Sequence, residues 1–389
     1  MRPWRAIAGF GVVSLTADMV YEGARSITGP LLASLGASAL VVGLVTGAGE
    51  AAALLLRLVS GPLADRTSRY WTLTILGYGL TAVCVPLLAV TPALGTAGLA
   101  VAATLIIAER VGKAVRSPAK SALLAQAATQ VGQGRGFAVH KALDQVGAFA
   151  GPLLVAALVA ATGLLWPALA ALAIPGALAL GLLVWMRRRF PATHAPSVAT
   201  PGWLGVDLPG RFFWFAGSAA AATMGLLTFG LMSFHAVRSG QVVVAAVPLL
   251  YAAAMAAAAV AALVTGWLYD RWGARVLFAL PVLGGAAPIL SLSVSSAAIV
   301  VGALLWGAAA GVQDSTVKAL VADLVPAPRR ATAYGVFAAF QGGAALAGGA
   351  VAGGLYDAAP EILVVVLMAA QLAGAVLLAL ALRGRHPNG

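Results

Sequence analysis

Glu109, Lys113, Arg116 and Lys120 recur at i, i+4, i+7 and i+11 in ERVGKAVRSPAK. A helix through this stretch carries them as one stripe, with Arg110 about 100° to the side. The apolar run that begins near Pro92 leads straight into them, which places the stripe in lipid. A charge at a bilayer centre costs roughly 2.5–3.5 kcal/mol, so such groups are expected to face a bundle interior or a wet cavity and to hold protons, ions or a charged solute there. Asp18, Glu22 and Arg25 repeat the pattern at i, i+4 and i+7, on a face shared with Ser14. Glu50 shares a helical face with Arg57, Lys141 stands three residues before Asp144, and Gln313, Asp314 and Lys318 form a further group late in the chain.

Distance from the expected membrane edges puts Asp18, Glu50 and Glu109 near mid-depth. Three carboxyls near one plane are mutually unfavourable when all are ionised, so proton uptake and release by one of them is the chemistry expected. Arg57, Lys141 and Asp144 read equally well as a static ion-pair network, and Asp314 with Lys318 as a pair satisfied within one helix. His140 reads as an interfacial residue whose ring reaches toward water. The four histidines show no metal spacing and the single cysteine, Cys84, lies between two valines, so neither a metal site nor an intramolecular disulfide is expected.

The elements that must position these groups follow from composition. With 61% hydrophobic and 9% charged residues and a mean hydropathy of +0.96, the chain reads as an all-α polytopic membrane protein. Glycine, proline and charge clusters divide it into twelve spans, near 6–33, 39–63, 71–91, 95–124, 137–161, 164–187, 211–236, 242–269, 275–293, 297–324, 331–355 and 361–383. The first continues past Asp18 to Leu35 without a cleavage site, so it is read as a span rather than a leader. Arginines crowd the loops on one side, with only Arg238 on the other, which predicts both termini in the cytoplasm. The net charge of +12 lies in these loops and inside helices, not in an aromatic-interleaved patch, so nucleic acid is not an expected partner. Every third span carries no charge except at its ends, as expected where the outermost helices support a cavity from behind.

The region 187–210 is the longest polar, proline-rich interruption, and it separates an N-terminal bundle of six helices (1–186) from a C-terminal one (211–389). An internal repeat agrees. GPLADRTSR from Gly61 recurs as GWLYDRWGAR from Gly266, with glycine, aspartate and arginine at the same offsets. Gly61, Leu63, Asp65, Arg66 and Arg69 resemble the G-x-L-x-D-R-x-G-R signature of the major facilitator superfamily, with Ser68 in place of its second glycine. Gly266, Asp270, Arg271 and Gly273 resemble its second-half copy. Gly147, Gly151 and Pro152 resemble the G-x-x-x-G-P core of a motif in the drug:proton antiporter branches.

The resemblance implies two six-helix bundles, a monomer, and a gating role for Gly61, Asp65, Arg66, Arg69, Gly266, Asp270 and Arg271. Read from the residues alone, Asp65 can accept hydrogen bonds at a helix end, the arginines can meet carbonyls or anionic lipid heads, and Gly147 and Gly151 permit close helix approach. No nucleotide-binding or hydrolase motif and no cofactor site is present, so this is not read as an enzyme.

The function expected is secondary transport by alternating access in a prokaryotic cytoplasmic (inner) membrane, as proton-coupled efflux (antiport) of small amphipathic or drug-like molecules. Protons, a small-molecule substrate and membrane lipids are its expected partners. The alternative within the same class is symport or uniport of an organic anion or phosphorylated solute, since Arg25, Arg110, Lys113 and Arg116 make the first half as cationic as it is acidic. A non-transporting receptor or scaffold is the reading of another class, and the buried acids argue against it.

Overall fold

With no water in the bilayer core to take up backbone polar groups, so apolar a chain can cross only as helices or a closed barrel, and helices are what it forms. The computed structural model describes residues 3–129, 131–190, 208–326 and 329–383, without the side chain of Lys318. Most of the expected 187–210 linker lies outside the described residues. The α-helices in chain order are α1 (Pro3–Ser26), α2 (Thr28–Ser34), α3 (Ala39–Leu55), α4 (Arg57–Thr67), α5 (Tyr70–Leu87), α6 (Gly98–Ala128), α7 (Gln133–Thr162), α8 (Leu165–Ala171), α9 (Ala173–Arg189), α10 (Gly210–Met224), α11 (Phe229–Arg238), α12 (Val247–Trp272), α13 (Ala279–Ser291), α14 (Ser296–Asp314), α15 (Thr316–Leu324), α16 (Arg330–Ala358) and α17 (Pro360–Leu382).

Among the described residues nine stretches are long and apolar enough to cross a membrane. Two of them, 59 residues from Tyr70 to Ala128 and 48 from Val244 to Ser291, greatly exceed the ~20 that one crossing needs. Each contains a glycine break. Gly95, at φ 55 and ψ −128, separates α5 from α6, and Gly273, at φ 64, ends α12 ahead of α13. With both arms of each break counted, and with α1, which carries Arg5, Asp18, Glu22 and Arg25, the helices supply the twelve crossings expected.

Five expected spans are interrupted, the second at Leu56, the sixth at Leu172 and the seventh over 225–228, besides the first and the tenth. The first breaks at Ile27, between α1 and α2. The tenth breaks at Ser315, whose hydroxyl donates back to the Gly311 carbonyl at 2.9 Å, a bond that competes with the helix ladder. The expected tenth span is thus two helices, with Asp314 at the end of α14 and residue 318 in α15.

By their packing the helices fall into two units. One comprises Met1–Ala37, Ala52–Thr200 and Val243–Ala252, the other Ser38–Ala51, Pro201–Val242 and Ala253–Gly389. In the first, Phe10 stacks on Trp71 with ring centroids 5.7 Å apart, and the Trp71 indole donates to the Phe190 carbonyl. In the second, Phe215 stacks on Phe337 at the same separation.

The repeat seen in the sequence extends to backbone conformation. Ser68 has φ +53, the one non-glycine positive φ among the described residues, and Gly273 at the same offset in the second copy has φ +64. Both end a helix and let the chain turn into the next one. A serine in this conformation pays a steric cost that glycine does not. Ser68→Gly should therefore raise stability by about 0.5–1 kcal/mol, read as a higher melting temperature of the detergent-solubilised protein. A lower one would mean that the serine side chain supports the turn.

Candidate functional site

The site is built on the contact between α1 and α7. Gly147 and Gly151 lie one turn apart on α7 and face the backbone carbonyls of Leu15 and Met19, also one turn apart on α1. A Cβ at either glycine would collide with a carbonyl oxygen, so the helices approach this closely only because both side chains are absent. This approach brings the carboxyl group of Asp18 on α1 beside that of Asp144 on α7. Asp144 also accepts from Lys141 Nζ at 2.6 Å.

One turn before Asp18, Ser14 Oγ meets His140 Nε2 at 2.9 Å and accepts from Lys120 Nζ at 3.1 Å. His140, expected at the interface, is 6% exposed. Its neighbour Ser14 offers the hydroxyl that makes burial of the ring tolerable, a partner that helix periodicity does not reveal.

Toward the other end of α1 lies the cationic group. Tyr21 is 2% exposed, and its hydroxyl accepts from Arg110 Nη1 and from Arg25 Nη1, the latter at 3.2 Å. The Arg110 guanidinium lies 4.5 Å from the Tyr21 ring centroid and Lys113 Nζ 3.7 Å from it. Glu109, 5% exposed, stands 3.6 Å from Arg110 Nε and 3.8 Å from Arg116 Nη1, and accepts from Thr81. Arg116, 4% exposed, donates to Thr81 and lies over the Tyr78 ring. Glu22 is 4.0 Å from Arg25 Nη1 and accepts from the Tyr251 hydroxyl of α12, in the Val243–Ala252 segment of the same unit.

Asp18, Glu22, Arg25, Glu109, Arg110, Lys113, Arg116 and Asp144 thus all belong to the first unit, while Glu50, Gln313 and Asp314 belong to the second. Gln313 donates to Thr223, and Asp314 is exposed at the end of α14. Asp65, Arg66 and Arg69 are exposed, and Asp65 accepts from the Tyr70 hydroxyl at 3.1 Å. Asp270 and Arg271 are exposed too, with the Arg271 guanidinium 4.1 Å from the Trp267 ring centroid. Tyr21 and Tyr251 were not singled out from the sequence. Tyr21 sits beside Glu22 in the charged stretch of the first span, which is a usable signal, whereas nothing in the alanine-rich eighth span points to Tyr251 as a partner of Glu22.

A family model described as Major Facilitator Superfamily matches residues 11–249 and 240–389. The uncharacterized proteins Mb2288 of Mycobacterium bovis and Rv2265 of Mycobacterium tuberculosis are each 54% identical over 386 residues, 96% of this chain and 92% of theirs. Among solved structures, a mutant form of the nucleoside transporter NupG superposes with a TM-score of 0.74 at 13% identity, over 97% of this chain and 98% of that one. The peptide transporter POT gives 0.73 at 16% identity, over 97% and 94%. At these identities the likeness is one of fold.

The α1–α7 contact is directly testable. Gly147→Ala and Gly151→Ala should each destabilise by about 1–3 kcal/mol through overpacking. Gly79→Ala, in α5 where a Cβ meets nothing within 4 Å, should be neutral or stabilising. Thermal melts of the three purified variants decide this, and equal melting temperatures would show that the close approach is not constrained.

Proposed function

We propose, for a chain that belongs to the Major Facilitator Superfamily and is a secondary transporter and not an enzyme, that its transport is coupled to protons at the Asp18–Asp144 pair. The observation that carries this is the placement of two carboxyl groups side by side on a membrane-spanning helix pair, where ionising both is unfavourable and taking up a proton relieves the repulsion. Alternating access then requires that the pair load from one side of the membrane and release to the other. The chain is integral to the membrane, and its mycobacterial relatives support the bacterial cytoplasmic membrane as the location. Both termini inside is the orientation that loop charge supports.

Antiport, with efflux of small amphipathic or drug-like molecules, is supported by Gly147, Gly151 and Pro152. These residues also have a purely mechanical use in the α1–α7 contact. Symport of an organic anion is supported by a different observation, the set of cations that Arg25, Arg110, Lys113 and Arg116 place around Tyr21 and Tyr78.

The test uses purified protein in liposomes with an internal pH dye, and a panel running from tetraphenylphosphonium to succinate and glycerol 3-phosphate. Asp18→Asn should cut solute-driven proton movement at least tenfold while solute exchange at equal pH stays within about threefold of wild type. Proton movement opposite to the solute would select antiport, and movement with it symport. Unaltered proton movement in both Asp18→Asn and Asp144→Asn would refute coupling at the pair.

A further inference from the structure

His140 is a buried titratable ring within the membrane-spanning stretch 134–162, and the coupling proposed above does not use it. Its place is defined by two layers of side chains. α1 and α7 run parallel, since Leu15 and Met19 meet Gly147 and Gly151 in the same order. Asp18 and Asp144 form one layer of this helix pair, and Ser14 and His140, each one turn earlier, form the next. At 1.5 Å per residue the two layers are about 6 Å apart. The Ser14–His140 layer is nearer to the end at which both helices begin, at Pro3 and Gln133. Loop charge supports that end as the cytoplasmic one.

The bonding of this layer leaves free the donors and acceptors that a proton relay needs. Ser14 Oγ accepts from Lys120 Nζ at 3.1 Å, which leaves the hydroxyl one lone pair and its own proton. His140 Nε2 lies 2.9 Å from the same oxygen, and Nδ1 has no hydrogen-bond partner among the described residues. An imidazole can take a proton at one nitrogen and give one from the other, and Ser14 and Asp18, one turn apart on α1, are neighbours on one helix face. The charged groups around the ring are Lys120 of α6 and Lys141 and Asp144 of α7, with Asp18 beyond Ser14 on α1. Tyr78 of α5 completes the layer, its hydroxyl 3.4 Å from Ser14 Oγ and its ring under the Arg116 guanidinium. Asp144 attracts a proton on the ring and the two ammonium groups repel it, so a proton held there is drawn on toward the carboxyl pair.

We propose that His140, acting with Ser14, carries the proton between the Asp18–Asp144 pair and the end at which α1 and α7 begin. His140 takes a proton at Nδ1 and gives the one at Nε2 to the Ser14 oxygen, and Ser14 gives its own to Asp18. One proton enters and one leaves at each group, so ring and hydroxyl end neutral, the ring in its other tautomer. This rests on the coupling reading above and adds the route by which that pair is loaded and emptied.

The test uses the full chain in liposomes captured through an N-terminal tag, so that the end at which α1 begins faces outward. A light flash releases protons outside, and time-resolved infrared absorption follows the carboxyl C=O stretch that Asp18→Asn or Asp144→Asn removes. His140→Gln keeps a nitrogen donor for Ser14 but carries no proton, and it is expected to slow the rise of that band about tenfold or more while its final height stays that of wild type. Ser14→Ala should slow it as well, and Ser14→Thr, which keeps the hydroxyl, should not. With protons released in the lumen instead, His140→Gln is expected to respond as wild type does. An unchanged rate in both His140→Gln and Ser14→Ala would overturn the inference. Slowing from both sides alike, or a lowered final height at an unchanged rate, would make His140 structural and overturn it too. Absence in wild type of any carboxyl band that the two aspartate variants remove would defeat the coupling reading and the route with it, whereas a band present but indifferent to His140 and Ser14 would defeat the route alone.

Discussion

The backbone-to-backbone contact of α1 with α7 is the constraint on which the rest of the first unit depends. Gly147 and Gly151 let two helices meet at the carbonyls of Leu15 and Met19. In a bilayer such a contact has no hydrophobic drive behind it, and it is held by packing and by the polar groups that it joins. The groups joined are the Asp18–Asp144 pair and, one turn away, Ser14 with His140. Glycine packing and carboxyl pairing are thus one device. Widening the helix separation by the width of a methyl group would separate the carboxyls and leave each to find another partner in a medium that offers few.

The second organising feature is the concentration of charge around a single aromatic residue. Tyr21 gives its hydroxyl to two arginines and its ring face to a lysine. An aromatic hydroxyl is a neutral acceptor, and a ring face is a weak one, so the tyrosine orders these cations and leaves the compensation of their charge to other partners. Glu109 behaves differently, for it stands between Arg110 and Arg116 and is tied to Thr81. The α6 stripe that periodicity puts on one face therefore divides into a part built on Glu109 and a part, with Lys113, ordered by Tyr21.

Much of this was legible in the sequence because a membrane restricts what a chain can do. Hydropathy locates the crossings, since an apolar run of sufficient length must become a helix. The charged stripes on the first and fourth spans follow from period alone. The repeat GPLADRTSR/GWLYDRWGAR even forecasts backbone conformation, because Ser68 and Gly273 stand at one offset and share a left-handed φ. Three things were not legible. Asp18 and Asp144 lie on helices far apart in sequence, and the glycines tell that α7 approaches some helix without telling which. His140 is buried by a hydroxyl contributed from another helix. The break at Ser315 coincides with a side-chain bond to the Gly311 carbonyl, a bond that elsewhere, as at Ser117 in α6, leaves the helix intact. In the first two cases the missing information is a neighbour, which periodicity within one helix does not contain.

The charge of the solute and the direction of coupling are not independent in such a site. Asp18 and Arg25 are seven residues apart on α1, about 10 Å along the helix. At that separation and an effective dielectric of about 20, two unit charges interact by about 1.7 kcal/mol, more than tenfold in an equilibrium constant. A proton added to the carboxyl pair makes the region more positive, and an oxyanion near Lys113 makes it less so. Each therefore tightens the other, and by linkage the effect is reciprocal. Anion and proton would then be carried together, since the doubly loaded state is the favoured one. A cationic solute would have the opposite relation to the proton, each expelling the other, which is the thermodynamic basis of exchange. Under the proposed coupling, the sign of the solute's charge would thus set whether a proton at the Asp18–Asp144 pair travels with the solute or against it.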